Sequence, residues 1–246
     1  MSAAAVTVND LTMGWDDVVL QQGATFEVAR GDVFAILGGS GCGKSTLLRY
    51  MIGLDAPMAG TITIGDAGPP NLSVGRPPFG VMFQSGALFG GLTVAENVAL
   101  QLERWTDLPI DAIDAIVRAK LRLVGLDGAE EKLPAELSGG MKKRAAIARA
   151  LALEPNLLFL DEPSAGLDPV SAVELDELLL TLSRVVGLTI VIVTHELESI
   201  FRVANACIVL DKESKSIIAR GDPKVLRDTS TDPRVHRFLN RLPRSA

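Results

Sequence analysis

An α/β domain built on a parallel sheet, with antiparallel strands beside it and a helical segment inserted into it, is the fold this sequence predicts. Three observations carry that expectation. Short wholly apolar runs (VFAIL, LLFL, TIVIVT) suit strands buried on both faces. In the C-terminal half such runs alternate with helical stretches, the pattern of a sheet covered by helices. Between Thr93 and about Val124 the periodicity is helical instead and interrupts the strands. The 246 residues suffice for one large domain.

In chain order, the first thirty residues alternate apolar and polar, as in TFEVA around Phe26 and Val28, which predicts antiparallel strands with one solvated face. Asp32 to Leu37 is a buried strand that runs into the turn GGSGCGKST, and a helix follows from Lys44 to about Ile52. Gly60 to Ile64 is a further strand, GDAGPPNLSVGRPP a loop, and Gly80 to Phe83 a short strand ending at Gln84. Thr93 with Glu96 forms a capping box, and Asp111 opens a second helix with Ile113, Ile116, Val117 and Leu121 at helical spacing. Ser138 caps a helix to about Ala152. Then come a strand (Leu157–Leu160), a helix (Pro169–Val186), a strand (Thr189–Val193), a helix (Glu196–Ala204) and a strand (Ala206–Leu210). Pro233 to Arg241 is a last helix, with Val235, Phe238, Leu239 and Leu242 on one face. That face either packs on its own domain or docks on a neighbouring protein.

The formal net charge of -6 disfavours nucleic acid and anionic lipid as direct partners, because both need a basic surface. Cys42 and Cys207 have no ligand spacing, so neither a disulfide framework nor a zinc site is expected. The opening MSAAAVTVNDL lacks the charged and apolar regions of a signal peptide. No apolar run approaches the ~18 residues of a membrane-spanning helix.

Chemistry concentrates in a few places. Gly38 to Ser45 matches GxxxxGK followed by Ser or Thr, after a strand and opening a helix. Glycines there let backbone N–H groups approach phosphates, and the helix N-terminus adds positive potential. Gly38, Gly39, Ser40, Gly41, Cys42, Gly43, Lys44, Ser45 and Thr46 are the expected ATP cradle, with Lys44 on the β- and γ-phosphates and Ser45 on Mg²⁺. Leu157 to Glu162 delivers two acids at a strand end. Asp161 suits Mg²⁺ through water, and Glu162 suits a general base for the attacking water. His195 ends the strand TIVIVT; it is either a capping or core histidine or, favoured by its place on the ligand edge, a contact to the γ-phosphate or attacking water. Leu137-Ser138-Gly139-Gly140-Met141 precedes Lys142, Lys143 and Arg144, three cations that oppose the helix dipole unless an anion is placed there or they form a solvated basic face.

These motifs, in this order, resemble the ATP-binding cassette (ABC) ATPases over nearly the whole chain. LSGGM is similar to that family's LSGGQ signature. The resemblance implies a P-loop NTPase core with a RecA-like mixed sheet, a flanking antiparallel β subdomain and an inserted α-helical subdomain. It implies a single ABC domain over 1–246, with the helical part at about 85–150 and a C-terminal extension at about 222–246. Gln84 becomes the Q-loop glutamine, a catalytic and Mg²⁺-sensing residue. Ser164 to Asp168 becomes the D-loop, and Trp15 the aromatic that stacks on adenine. The family works as a head-to-tail homodimer, with Ser138, Gly139, Gly140 and Asp168 reaching the ATP of the other copy. Met141 departs from the usual Gln and Gly39 from the common Pro; neither removes a catalytic group, so an active ATPase is expected.

Within the family, FQSGALF, LTV with ENV, LSGGMKKRAAIARAL and DEPSAGLDPVS resemble the phospholipid-trafficking (Mla, toluene-tolerance) branch. That branch implies an MlaE-like permease, a periplasmic MCE-domain protein, phospholipid as cargo and a place on the cytoplasmic face of the bacterial inner membrane. The C-terminal stretch TDPRVHRFLNRL either packs on its own domain or is a docking helix for the neighbouring ATPase or for a small accessory protein. The alternatives are the ATPase of another ABC importer, or a soluble ABC ATPase of repair or translation. The latter lacks its usual coiled coils, zinc insertions or second cassette here.

Overall fold

The computed structural model describes residues 4–73 and 75–242. The chain runs β1 (Ala4–Trp15), β2 (Val18–Ala29), β3 (Val33–Gly38), α1 (Lys44–Met51), β4 (Ala59–Ile64) and β5 (Gly80–Met82). It continues through α2 (Val94–Trp105), α3 (Ile110–Leu123), α4 (Gly139–Ala150), β6 (Leu157–Asp161), α5 (Pro169–Val186) and β7 (Thr189–Val193). It ends with α6 (Leu197–Val203), β8 (Ala206–Asp211), β9 (Ser216–Gly221), α7 (Pro223–Thr229) and α8 (Pro233–Leu239).

Two sheets form. β2-β1-β4 is antiparallel, as the alternation near the N-terminus predicts. The second has the order β5-β6-β7-β3-β8-β9, parallel throughout except for the β8–β9 pair. The wholly apolar runs sit in its centre, where alternate residues serve different cores. In β3, Val33, Ala35 and Leu37 face the cluster built with α2 to α6, whereas Phe34 and Ile36 face the cluster shared with α1 and the antiparallel sheet. The same partition runs through β6, with Leu158 and Leu160 on one side and Leu157 and Phe159 on the other. A strand buried on both faces has no polar positions, which is why these segments read as continuous apolar runs.

Local signals set the helix ends. Thr93 Oγ1 accepts from the Glu96 N–H, and the Glu96 carboxylate accepts from the Thr93 N–H, closing the expected capping box. Ser138 Oγ accepts from the Met141 N–H, and the Asp168 carboxylate from Val170 and Ser171. α3 starts one residue earlier than Asp111, on Pro109 as its cap. The three helices α2, α3 and α4 pack against one another.

Two elements were not expected. β9 and α7 lie between the last predicted strand and the last predicted helix. β9 is an edge strand with most residues only half-buried, so its sequence SIIARG carries no clean alternation. α8 packs on its own chain: Val235 and Leu239 are buried in the main core and Phe238 lies against it, while Leu242 is exposed. Among the described residues, no helix is long and apolar enough to cross a membrane.

Candidate active site

Parallel strands deliver their C-terminal ends to one edge, and the register here aligns them. Ile36 and Asp161 both pair with Val193, so the turn after β3, the acids after β6 and the Thr194-His195 pair after β7 emerge side by side. The turn after β3 needs glycine for steric reasons. A Cβ on Gly38 (φ 145°) would lie 2.5 Å from the Leu210 carbonyl oxygen and 2.6 Å from Cys42 Sγ. A Cβ on Gly43 (φ 100°) would lie 2.7 Å from Met13 Cε. Gly43 also caps α1 without a side chain, leaving the first N–H groups of the helix open. Lys44 folds back over the loop, its Nζ donating to the Gly38 and Gly39 carbonyls at 2.9 and 3.2 Å.

Around this turn lies a cleft of about 650 Å³. Trp15, Leu20, Gly38 to Gly41, Gly43 to Thr46, Glu162, His195 and Phe238 line it. Cys42 sits beneath, buried, its thiol pushed up by desolvation. Trp15 is 54% exposed at the hairpin end of β1, an unusual position for an indole unless a flat partner covers it.

Glu162 is 9% exposed and adopts a positive φ of 47°. Its Oε2 accepts from Thr194 Oγ1 at 2.8 Å, and its Oε1 lies 2.7 Å from His195 Nδ1. A carboxylate only accepts, so Nδ1 is the donor to Glu162, while Nε2 lies 3.7 Å from Glu196 Oε1 on the exposed side of the ring. Both oxygens of the acid are therefore oriented by groups from the neighbouring strand. Asp161 differs: its Oδ1 is buried with no hydrogen-bond partner. Burial first, and then the charge of Glu162, push its pKa above the usual carboxylate range, against the pull of Lys143 and Lys44. A buried carboxylate oxygen with nothing to accept from, within reach of the Lys44 charge, fits a hard divalent cation such as Mg²⁺.

Two of the three cations after LSGGM are engaged within the chain. Lys143 is buried, and its Nζ donates to the Glu162 carbonyl at 3.1 Å and to the Gln84 carbonyl. Arg144 is tied to the Val124 carbonyl at 3.2 Å and to Glu174 at 2.9 Å. Burial lowers the Lys143 pKa, and the Asp161 and Glu162 carboxylates oppose that shift.

Gln84 is exposed and does not line the cleft, although its backbone reaches the site through Lys143. Ser138, Gly139, Gly140 and Asp168 also lie outside the cleft, but together. A Cβ on Gly139 would lie 3.4 Å from Leu167, and one on Gly140 3.4 Å from Ser171. The signature turn and the loop before α5 thus form one surface. Sequence reasoning missed Thr194, Lys143, Gln21 and Phe238. Thr194 could have been found from its place beside His195; the other three meet the site only through folding.

Comparison with known proteins agrees with this arrangement. The family model described as ABC transporter matches residues 21–165. The intermembrane phospholipid transport system ATP-binding protein MlaF of Escherichia coli (strain K12) is 38% identical over 243 residues, covering 97% of this chain and 89% of the relative. The probable ribonucleotide transport ATP-binding protein mkl of Mycobacterium leprae (strain TN) is 39% identical over 241 residues, covering 96% of this chain and 69% of the relative. Among solved structures, cbiO1 of Clostridium perfringens, part of the ABC transporter complex cbiONQ, superposes with a TM-score of 0.80 at 33% identity, covering 99% of this chain and 97% of that one. A dimeric ATP-binding cassette in a post-hydrolysis state with ADP and Pi superposes with a TM-score of 0.76 at 27% identity, covering 88% and 98%. The chain therefore belongs to the ABC transporter family, as a Mg²⁺- and ATP-dependent ATPase subunit similar to MlaF.

Proposed function

We propose that the cleft between Trp15 and His195 is the site of ATP hydrolysis and that two copies close head-to-tail over two ATP molecules to drive phospholipid trafficking through a membrane partner. The observation that carries the site assignment is the fixed Glu162 carboxylate, held by Thr194 and His195 at the rim of the glycine turn. In this reading the backbone N–H groups of 38–46 and Lys44 hold the phosphates, and Trp15 stacks on adenine. Ser45 and Asp161, with Gln84 moving in, hold Mg²⁺, which neutralises charge on the β- and γ-phosphates. Glu162 polarises the attacking water and takes its proton, while His195 Nε2 faces the γ-phosphate. Ser138, Gly139, Gly140 and Asp168 close over the nucleotide of the other copy and exclude water.

We place the helical subdomain at about residues 85–150 as the part that receives the permease, and the complex on the cytoplasmic face of a bacterial inner membrane. The likeness to MlaF supports phospholipid as cargo, with an MlaE-like permease and, across the membrane, an MCE-domain protein. The equal likeness to mkl supports a second reading, an importer of the ribonucleotide class. Gentle extraction of the tagged protein, followed by mass spectrometry of co-purifying proteins and lipids, separates them. An MlaE-like permease with bound phospholipid is the expected result. A different permease without lipid would discard the lipid cargo and keep the ATPase.

A further inference from the structure

The last described helix of the chain reaches the same cleft as Trp15, at the other end of the sequence. Phe238, on α8, lines the cleft with the glycine turn, and it also lines an adjoining cavity of about 410 Å³ bounded by Gly38, Gly39, Leu210, Asp211, Arg234 and Arg237. Gly39 beside it has open space where a Cβ would point. Half-buried, with Val235 and Leu239 anchored in the core, Phe238 is held from behind and presents part of its ring to the cleft.

A chain of polar contacts fixes that placement. Arg234 Nη1 donates to Asp211 Oδ2 at 3.1 Å, at the end of β8. The Asp211 carbonyl accepts from Gln21 Nε2 at 2.9 Å, and the same Nε2 donates to the Cys42 carbonyl inside the glycine turn, also at 2.9 Å. Gln21 is fully buried, and its Oε1 has no partner. A buried amide left half-satisfied is costly; its nitrogen ties the turn to the strand that α8 grips. Gln21 thus links the glycine turn to Asp211, which Arg234 grips from α8.

We propose that α8 is part of the nucleotide site: Phe238 is a wall of the ATP cleft on its Gly38–Gly39 side, and the Arg234–Asp211–Gln21 chain is the positioning device that holds α8 and the glycine turn in register. This rests on the assignment of the cleft to ATP. Removing the ring uncovers one side of the bound nucleotide, and cutting the chain lets α8 shift from the turn.

Equilibrium binding of a fluorescent ATP analogue with Mg²⁺ to the full chain tests it. Truncation of one aromatic wall corresponds to about tenfold weaker binding for Phe238→Ala. Phe238→Tyr retains the ring and binds as the unchanged chain does. Phe238→Leu keeps apolar packing without a ring and is weakened. Arg234→Ala is weakened about threefold, for ATP and ADP alike, with its nucleotide-free melting point reported alongside. Lys44→Ala serves as the control for the cleft itself. If Lys44→Ala loses binding while Phe238→Ala, Phe238→Leu and Arg234→Ala do not, the role of α8 is overturned and the ATP site stands. If Lys44→Ala binds normally, the site assignment falls and the proposal with it.

Discussion

A buried ammonium is costly unless its protons are used, and Lys143 spends two of its donors on the carbonyls of the two loops that matter most, those of Gln84 and Glu162. Glu162 sits at a positive φ that a non-glycine residue adopts only when its surroundings hold it. Lys143 is part of that hold, acting on the backbone rather than on the carboxylate. Lys143→Met fills the space but leaves the Gln84 carbonyl without its lysine donor and the Glu162 carbonyl with the Ala165 N–H alone. We expect about 1–3 kcal/mol of lost stability and a kcat lowered about tenfold at nearly unchanged ATP affinity, because the phosphate turn is untouched. Steady-state ATPase assays beside equilibrium binding check this; a purely structural lysine would lower the melting point and leave kcat per folded molecule unchanged. The two thiols are a simpler case. Cys42 and Cys207 are both buried, and burial pushes the Cys207 thiol up to about 12. Neither should react with a maleimide at neutral pH in the native chain, and both should react in denaturant, as mass spectrometry of the products would show.

At the scale of elements, α8 is short and depends on its cap. Asp232 accepts from the Arg234 N–H at 2.8 Å and pairs with the Arg234 guanidinium at 2.7 Å. The hydrogen bond from the Arg234 side chain holds the Asp232 carboxyl down at about 2. A depressed folded-state pKa gives stability that is fully present above the unfolded value, near ~3.9, and is lost as pH falls through the folded one. The pair is largely solvated, so its contribution is small. The melting-point gap between the native chain and Asp232→Asn should therefore be constant above about pH 5 and close as pH falls from about 4 towards 2. A gap that grows on acidification would contradict the pairing. How legible each element was follows the same logic of local against distant causes. The glycine turn, the capping box at Thr93 and the buried strands announce themselves because their causes lie within a few residues. β9 and α7 did not, since an edge strand with half-buried positions has no required alternation and α7 is a single short helix between other elements. Lys143 read as one of three cations facing an anion, or as part of a solvated face, because nothing nearby in sequence says that the loop after β5 and the end of β6 fold over it. Gln21 and Phe238 are the extreme cases: one sits on a hairpin strand, the other on the last helix, and only the sheet order that places β8 beside β3 brings both to the same turn.

For the molecule as a whole, the signature turn is not among the residues that line the cleft. The turn bearing Ser138, Gly139 and Gly140 stands exposed or half-exposed next to Asp168, away from the cleft of its own chain. In the proposed reading a second copy turned head-to-tail would place that surface over the phosphates, and binding of ATP would then favour the dimer by mass action. Hydrolysis must be blocked for the closed state to accumulate. Glu162→Gln keeps the shape and a hydrogen-bonding oxygen but removes the base, so ATPase activity should fall by about 10²- to 10⁴-fold. With ATP and Mg²⁺ this variant should elute as a dimer in size-exclusion chromatography, and with ADP as a monomer. Its melting point with ATP should also rise with protein concentration, as it does for any state stabilised by association. Adding Ser138→Arg to Glu162→Gln separates the two halves of the idea. The arginine blocks the exposed turn without touching the cleft, so each monomer should still bind ATP while the dimer peak and the concentration dependence disappear. A double variant that still dimerises would remove the signature turn from the interface; a Glu162→Gln chain that hydrolyses ATP at the native rate would remove Glu162 from the chemistry. The two failures are independent, because one reads association and the other turnover.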